Sequence, residues 1–423
     1  MKITLFPSSV SGIITIPPSK SITHRAIICA SLAKNATTII NPLISEETML
    51  TIEAMRKLGV KIEYIEEGNK LLINPPKSFT LCNDIIKCGN SLRLVNLLIP
   101  IFVNIQQFGT FAIDKQIQQL LSYETIEKMN CSIIKTNNTI NVLPSKIPDD
   151  LEIENTCFLN GLLLSSMFKT TVTKIIVKKS DFSASHKLTL DIMKIFNISI
   201  DLLTYEIDKK YYLIVINPNQ YESPTSYTVE GDYETGANLI IAGLLGKRII
   251  IKNLFRNSIQ PESKIVGLLK KHDAKIDVGD DLLTINHSEI LPFEADLNEC
   301  PSLAPLLLAL ASITQGTSKL YNYDLACPIK DNKLSETIDI LSNLGADIIV
   351  QKDFIAVTGA NSLNGGVEIN CYQNYHYLFM LFAINTYLNK PISIIGAECS
   401  KQSYPNFLSD MHMLGVNFTT SDE

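Results

Sequence analysis

Apolar positions along this chain alternate between two rhythms. Helical spacing runs through Glu46–Leu58, where Met49, Ile52, Met55 and Leu58 fall on one face. Short β-branched runs follow at Val60–Tyr64 and Leu71–Ile73, predicting two strands joined by a hairpin across Glu66–Asn69. Ahead of them, Thr23–Ala33 reads as a helix and Thr37–Ile40 as a strand. The same order of helix, strand, helix, strand, strand recurs down the chain. Second helices are predicted at Ile117–Met129, Ala184–Phe196, Pro261–Lys271, Asn332–Leu344 and Pro405–Leu414, and Pro261 and Pro405 suit a first helical turn.

The stops at the ends of these helices make the repeat quantitative. Six runs pass through Gly, Asn or Asp into a strand, at Gly59, Asn130, Asn197, Asp273, Gly345 and Gly415, with spacings of 71, 67, 76, 72 and 70. These residue types tolerate the left-handed conformation that ends a helix. A period this regular predicts repeated supersecondary units. Three units make one lobe and three another, so the expected class is α/β, in lobes of about 200 residues. Lys2–Phe6 and Gly12–Ile16 read as strands that precede the first repeat. They assign residues 1–20 to the second lobe together with 229–423, and leave 21–228 as the first lobe. A cleft at the two hinges is the expected ligand position.

The stretch Pro17–Ala26, PPSKSITHRA, falls at the first hinge. Ser19, Lys20 and Ser21 open a helix whose first turns carry Thr23 and Arg25. Unpaired N–H groups at a helix N-terminus, with two cations and hydroxyls, suit a phosphate or carboxylate. Taken alone, the same residues also describe a helix cap with solvated cations.

Composition narrows the partners. A net charge of −6 argues against nucleic acid or an anionic membrane surface. The apolar runs Leu303–Ile313 and Leu159–Leu164 are too short to span a bilayer, and no leader pattern is present. Nine cysteines without a CxxC pair and six histidines without metal spacing predict a reducing, cytoplasmic setting with no metal and no cofactor. The chain is expected to be a monomer. Only five of the 37 basic residues are arginine, at 25, 56, 93, 248 and 256. Any bidentate fork for a carboxylate or phosphate must come from those five.

With these repeats and PPSKSITHRA at the first hinge, the whole chain resembles the enolpyruvyl transferases, and within them the 5-enolpyruvylshikimate-3-phosphate (EPSP) synthase family. Lys20, Ser21 and Arg25 fall on the family's S-K-S-x-x-x-R, and Ser45-Glu46-Glu47 on its S-D-D. Val229-Glu230-Gly231-Asp232, Asn257-Ser258-Ile259-Gln260 and Lys401 match further motifs. The resemblance implies two lobes of three βαβαββ repeats, an inside-out α/β barrel. It implies transfer of the carboxyvinyl group of phosphoenolpyruvate to shikimate 3-phosphate, with release of phosphate.

Several family positions are altered. In Cys88–Asn96 an ungapped reading puts Leu92 at a glycine and Asn96 at an arginine, whereas a three-residue deletion lets Arg93 serve. Lys115 and Gln119 stand for two arginines, and Asn155-Thr156-Cys157 for a phosphate-holding S-S-Q, of which Thr156 keeps a strong donor. The catalytic Asp falls on Ser302, which carries no charge at neutral pH. The K-E-x-D-R segment falls near Lys330, Asp331 and Lys333; ungapped, Lys330 replaces the acid, and with one deletion Asp331 keeps it. In Asn374-Tyr375-His376-Tyr377 a tyrosine replaces an arginine. These departures predict a strongly eroded site. Either Asp331, Glu299 or Asp296 takes over proton transfer while Lys333 and Lys401 hold phosphoenolpyruvate, or the chain keeps the fold without catalysis and binds an anionic ligand or a protein partner.

Overall fold

The computed structural model describes residues 1–80, 85–89, 91–105, 108–205, 210–217, 221–298, 300–323 and 334–421. All six predicted pivots have positive φ, from 53° at Asn130 to 90° at Gly59 and Gly415. Each ends a helix and turns the chain into a strand, which is why only Gly, Asn and Asp occupy these places.

The chain divides into two compact units, Met1–Pro18 with Glu230–Glu423, and Ser19–Val229. Among the described residues there are six four-stranded sheets, three in each unit. Every sheet has the same pairing: one parallel contact followed by two antiparallel ones. In the sheet holding Thr37–Ile40, that strand runs parallel to Ser226–Thr228 and antiparallel to Lys70–Asn74, which in turn pairs with Lys61–Ile65. This is the α/β architecture expected of the resemblance.

Two strands are traded along the chain. Gly12–Thr15 comes shortly before the first helix in the sequence, yet it pairs with Ile249–Lys252, far along the chain. Ser226–Thr228, from the end of the third repeat, supplies the parallel strand of the first. The sixth sheet is completed by Lys2–Leu5, antiparallel to both Ile392–Ile395 and Phe418–Ser421. The opening strands are therefore missing pieces of later repeats, which is why they fit no period of their own.

In each unit the first helix of a repeat is largely buried. Tyr375–Ile384 packs against both Tyr233–Leu245 and Ala304–Ala311. In the other unit, Leu92–Asn104 packs against Leu159–Ser165. Second helices are shorter than the sequence predicts. The continuous helix expected over 117–129 is two pieces, Lys115–Gln119 and Tyr123–Lys128. The chain turns at Leu120–Ser122, where the Tyr123 hydroxyl donates to the Gln118 carbonyl at 2.8 Å and Ser122 and Thr125 share a 3.0 Å hydroxyl contact. The fourth second helix likewise begins as a 3₁₀ turn, Pro261–Ser263, before Lys264–Lys270. Among the described residues no helix is long and apolar enough to cross a membrane.

Candidate functional site

Lys20–Leu32 is an interior helix in which every residue except Ser21 is buried. Its Lys20, Thr23, His24 and Arg25 are thus removed from water, and each such group needs a partner. The helix begins three residues earlier than the periodicity predicts, which puts Lys20 and Ser21 in its first turn.

Lys20 Nζ lies 3.0 Å from Glu47 Oε2. Glu47 sits in the first turn of Glu46–Lys57, capped by Ser45. Its other carboxyl oxygen accepts from the Ser91 hydroxyl, which also caps Leu92–Asn104 through the Leu94 N–H. Burial by itself raises the pKa of Glu47. The charges of Lys20, His24 and Arg93 and the Ser91 hydrogen bond outweigh it and hold the carboxyl far below the usual range. Arg93 stands exposed on the first turn of that helix, with Nη1 donating to Ser21 Oγ at 3.3 Å.

Arg25 is the hub of a second network. Nε donates to Thr189 Oγ1 at 2.7 Å, Nη1 to the Ser21 carbonyl at 2.9 Å, and Nη2 to Ser185 Oγ and its carbonyl at 2.9 and 3.2 Å. Thr189 in turn donates to Asn160 Oδ1 at 2.6 Å. One guanidinium so ties together three helices, Lys20–Leu32, Leu159–Ser165 and Ala184–Ile195. Thr156 joins at the edge, donating to the Asp181 carbonyl at 3.2 Å.

Two histidines belong to this neighbourhood: His24, which lies within PPSKSITHRA but was assigned no role there, and His186, which lies in no motif. His24 Nδ1 meets Thr51 Oγ1 at 2.7 Å, and its Nε2 is a buried atom without a hydrogen-bond partner. His186 Nδ1 accepts from the Ser183 N–H at 2.9 Å, closing the capping box of Ala184–Ile195. Burial, reinforced by Arg25, lowers His186 to about 4, and burial likewise lowers His24 to about 4. The unfolded chain takes up protons near 6.5 that the fold refuses, so stability is full above that pH and falls as pH drops toward 4. Each histidine contributes about 1.4 kcal/mol per pH unit within the window. His186→Gln keeps a residue suited to the capping box. The variant is expected to melt within about 2 °C of the parent at pH 7. It is also expected to lose one proton's share of the acid slope, read from melts between pH 6.5 and 4.

The structure thus brings Lys20, Ser21, Arg25, Arg93 and Thr156 into one neighbourhood. Lys115 is exposed at the start of Lys115–Gln119, and no described hydrogen bond draws it in. Lys401 is exposed in the turn Ala397–Gln402 of the other unit. Lys330, Asp331 and Lys333 lie outside the described residues, as does Glu299. Asp296 is exposed, and its carboxylate accepts from the Asn298 N–H at 2.9 Å.

In the unit made of Met1–Pro18 and Glu230–Glu423, the two matched motifs grip each other. Ser258 Oγ donates to Glu230 at 2.8 Å, and Gln260 Nε2 donates to the Gly231 carbonyl at 2.8 Å while its Oε1 accepts from the Tyr233 N–H at 3.0 Å. Asp232 caps Tyr233–Leu245. Tyr377 donates its hydroxyl to Glu336 at 3.0 Å. Ser302 donates to Glu262 Oε1 at 2.7 Å. Glu262 was not singled out by the sequence. Its signal was an acid directly after Pro261 in a helix-opening turn, a pattern that ordinarily means only dipole compensation.

A family model described as EPSP synthase (3-phosphoshikimate 1-carboxyvinyltransferase) matches residues 6–411. A 3-phosphoshikimate 1-carboxyvinyltransferase of Clostridium novyi (strain NT) is 31% identical over 430 residues, covering 98% of this chain and 97% of that relative. One from Methanococcus maripaludis (strain C7 / ATCC BAA-1331) is 31% identical over 424 residues, covering 96% and 97%. Among solved structures, an EPSP synthase from Acinetobacter baumannii superposes with a TM-score of 0.82 at 17% identity over 100% of both chains. The enolpyruvyl transferase NikO from Streptomyces tendae gives 0.74 at 14% identity, covering 99% of this chain and 98% of that one. At these identities the structural likeness speaks for the fold.

Proposed function

The chain belongs to the EPSP synthase family, and from that premise we propose that it transfers the carboxyvinyl group of phosphoenolpyruvate to the 5-hydroxyl of shikimate 3-phosphate. The observation that carries this reading is the Lys20, Ser21 and Arg93 cluster, with Glu47 and Ser91 holding Lys20 in place. A fixed ammonium, an exposed guanidinium and a hydroxyl make a cradle for a phosphorylated, carboxylated substrate. Arg25 serves it from behind, fixing the Ser21 turn through its backbone carbonyl.

The phosphoenolpyruvate side is thinned. No arginine follows position 256, and on the resemblance Tyr377 stands at an arginine position and Ser302 at the acid, while Arg93 serves in the loop where an ungapped reading would put Asn96. Each lost charge-assisted bond weakens binding by roughly 1.5–3 kcal/mol, or about 10- to 100-fold. The proposed setting is a monomer in the cytoplasm, acting on small anions without metal or cofactor.

Calorimetric titration with shikimate 3-phosphate, then a phosphate-release assay on adding phosphoenolpyruvate, tests the reading. Saturable binding followed by slow, phosphoenolpyruvate-dependent phosphate release is expected. The serine at the acid position favours one second reading, a family member that binds the anion and no longer turns it over. Binding without phosphate release would select it, and failure to bind shikimate 3-phosphate would sink both.

A further inference from the structure

Losing the acid at position 302 does not leave that place without a carboxyl. Glu262 Oε1 sits 2.7 Å from Ser302 Oγ, which donates to it. Glu262 arrives from Pro261–Ser263, one turn beyond the Ser258 and Gln260 bonds that fix this segment against Glu230 and Gly231. The serine left by the substitution is therefore bonded to an acid supplied by a neighbouring repeat.

We propose that Glu262 is the proton-transferring carboxyl of this enzyme, with the Ser302 hydroxyl as its positioning group. The inference rests on the carboxyvinyl-transfer reading above. Glu262 is half-buried as a residue. Its carboxyl is desolvated, and that burial, followed by the nearby charge of Glu234, raises its pKa above the usual carboxylate range, against the lowering effect of Ser302. The groups facing it are Glu234 and Asp232 at the start of Tyr233–Leu245, and Cys300 and Ser302 on the Pro301–Leu303 turn. His376 Nδ1 lies 3.5 Å from Glu234.

A carboxyl whose pKa is raised keeps its proton further up the pH range and can both give and take one. In the addition step the substrate hydroxyl oxygen bonds to the enol carbon. Glu262 gives its proton to the methylene carbon, which becomes a methyl, and receives the hydroxyl proton. In the elimination step Glu262 protonates the bridging oxygen of the departing phosphate and takes a proton from the methyl group. The carbon–carbon double bond re-forms as the carbon–oxygen bond to phosphate breaks. Glu262 ends protonated, as it began, and hydrogen phosphate leaves.

The test is steady-state phosphate release by the full chain across pH. Glu262→Gln is expected to lower kcat by about 100-fold or more, with little change in KM for shikimate 3-phosphate, and Glu262→Asp to recover part of the loss. Ser302→Ala removes the bond that lowers the Glu262 pKa. It is expected to retain turnover and to move the alkaline limb of the kcat profile upward, a shift that a purely structural serine would not cause. A parent enzyme that turns over while Glu262→Gln matches it, or an unmoved limb in Ser302→Ala, overturns the assignment and leaves the functional reading intact. A parent that releases no phosphate overturns the functional reading and the assignment with it.

Discussion

Gly161→Ala is expected to destabilise the Ser19–Val229 unit by about 3 kcal/mol, lowering its melting midpoint by roughly 10 °C. Gly161 lies in Leu159–Ser165 where that helix crosses Leu92–Asn104. A methyl there would sit 2.3 Å from the Asn96 carbonyl oxygen and 2.8 Å from that of Leu97. Both obstacles are backbone of an interior helix, so no side chain can swing aside and the two helices must separate. Separation moves Asn160, the acceptor for Thr189, and so loosens the oxygen that receives Arg25 Nε. Weaker shikimate 3-phosphate binding should accompany the fall in midpoint. A midpoint within 2 °C of the parent would show that the crossing tolerates a Cβ.

The second large effect is expected at Lys20→Met. Lys20 and Glu47 have side chains only 8% and 20% exposed, so removing the ammonium leaves a carboxylate largely out of water. Losing one partner of such a pair costs about 3 kcal/mol. The pH dependence identifies the cause. The folded pKa of Glu47 lies below its reference value of 4.5, so the pair's contribution is present above that pH and is lost as pH falls through the folded value. The gap between parent and variant should therefore be full at pH 7 and close on acidification below 4.5. The double variant Lys20→Met/Glu47→Gln is expected to regain much of the stability and none of the ligand binding. Thermal melts and calorimetric titration of the three proteins read both effects. A double variant no more stable than the single one would refute the coupling.

The parts of this molecule legible in its sequence share a local cause. A left-handed residue at a helix end is chosen by its own backbone, so Gly59, Asn130, Asn197, Asp273, Gly345 and Gly415 revealed the repeat one position at a time. Lys20, Ser21 and Arg25 were legible because the first two turns of one helix carry all three. What stayed hidden depends on distant partners. Nothing near Gly12–Thr15 announces Ile249–Lys252, and nothing near Ser302 announces Glu262. Arg25 looked like a ligand fork, and its Thr189 and Ser185 acceptors, far along the chain, give it a structural task as well. The predicted helix over 117–129 failed where apolar spacing continued through a turn closed by Tyr123 and Ser122. Asp331, Lys330 and Lys333, offered by the sequence as replacement acid and cations, fall beyond the described residues.

The placement of the opening strands sets a timetable for synthesis. Residues 19–229 form a contiguous stretch whose sheets are complete once Ser226–Thr228 has emerged. Lys2–Leu5 leaves the ribosome ahead of that whole unit, yet its neighbours Ile392–Ile395 and Phe418–Ser421 follow the unit in the chain. At a translation rate of about 5–20 residues per second, that strand waits roughly 20–80 seconds for its partners. Gly12–Thr15 waits a shorter time for Ile249–Lys252. The discontinuous unit, Met1–Pro18 with Glu230–Glu423, therefore closes after the contiguous one, and until then these two strands await their partners.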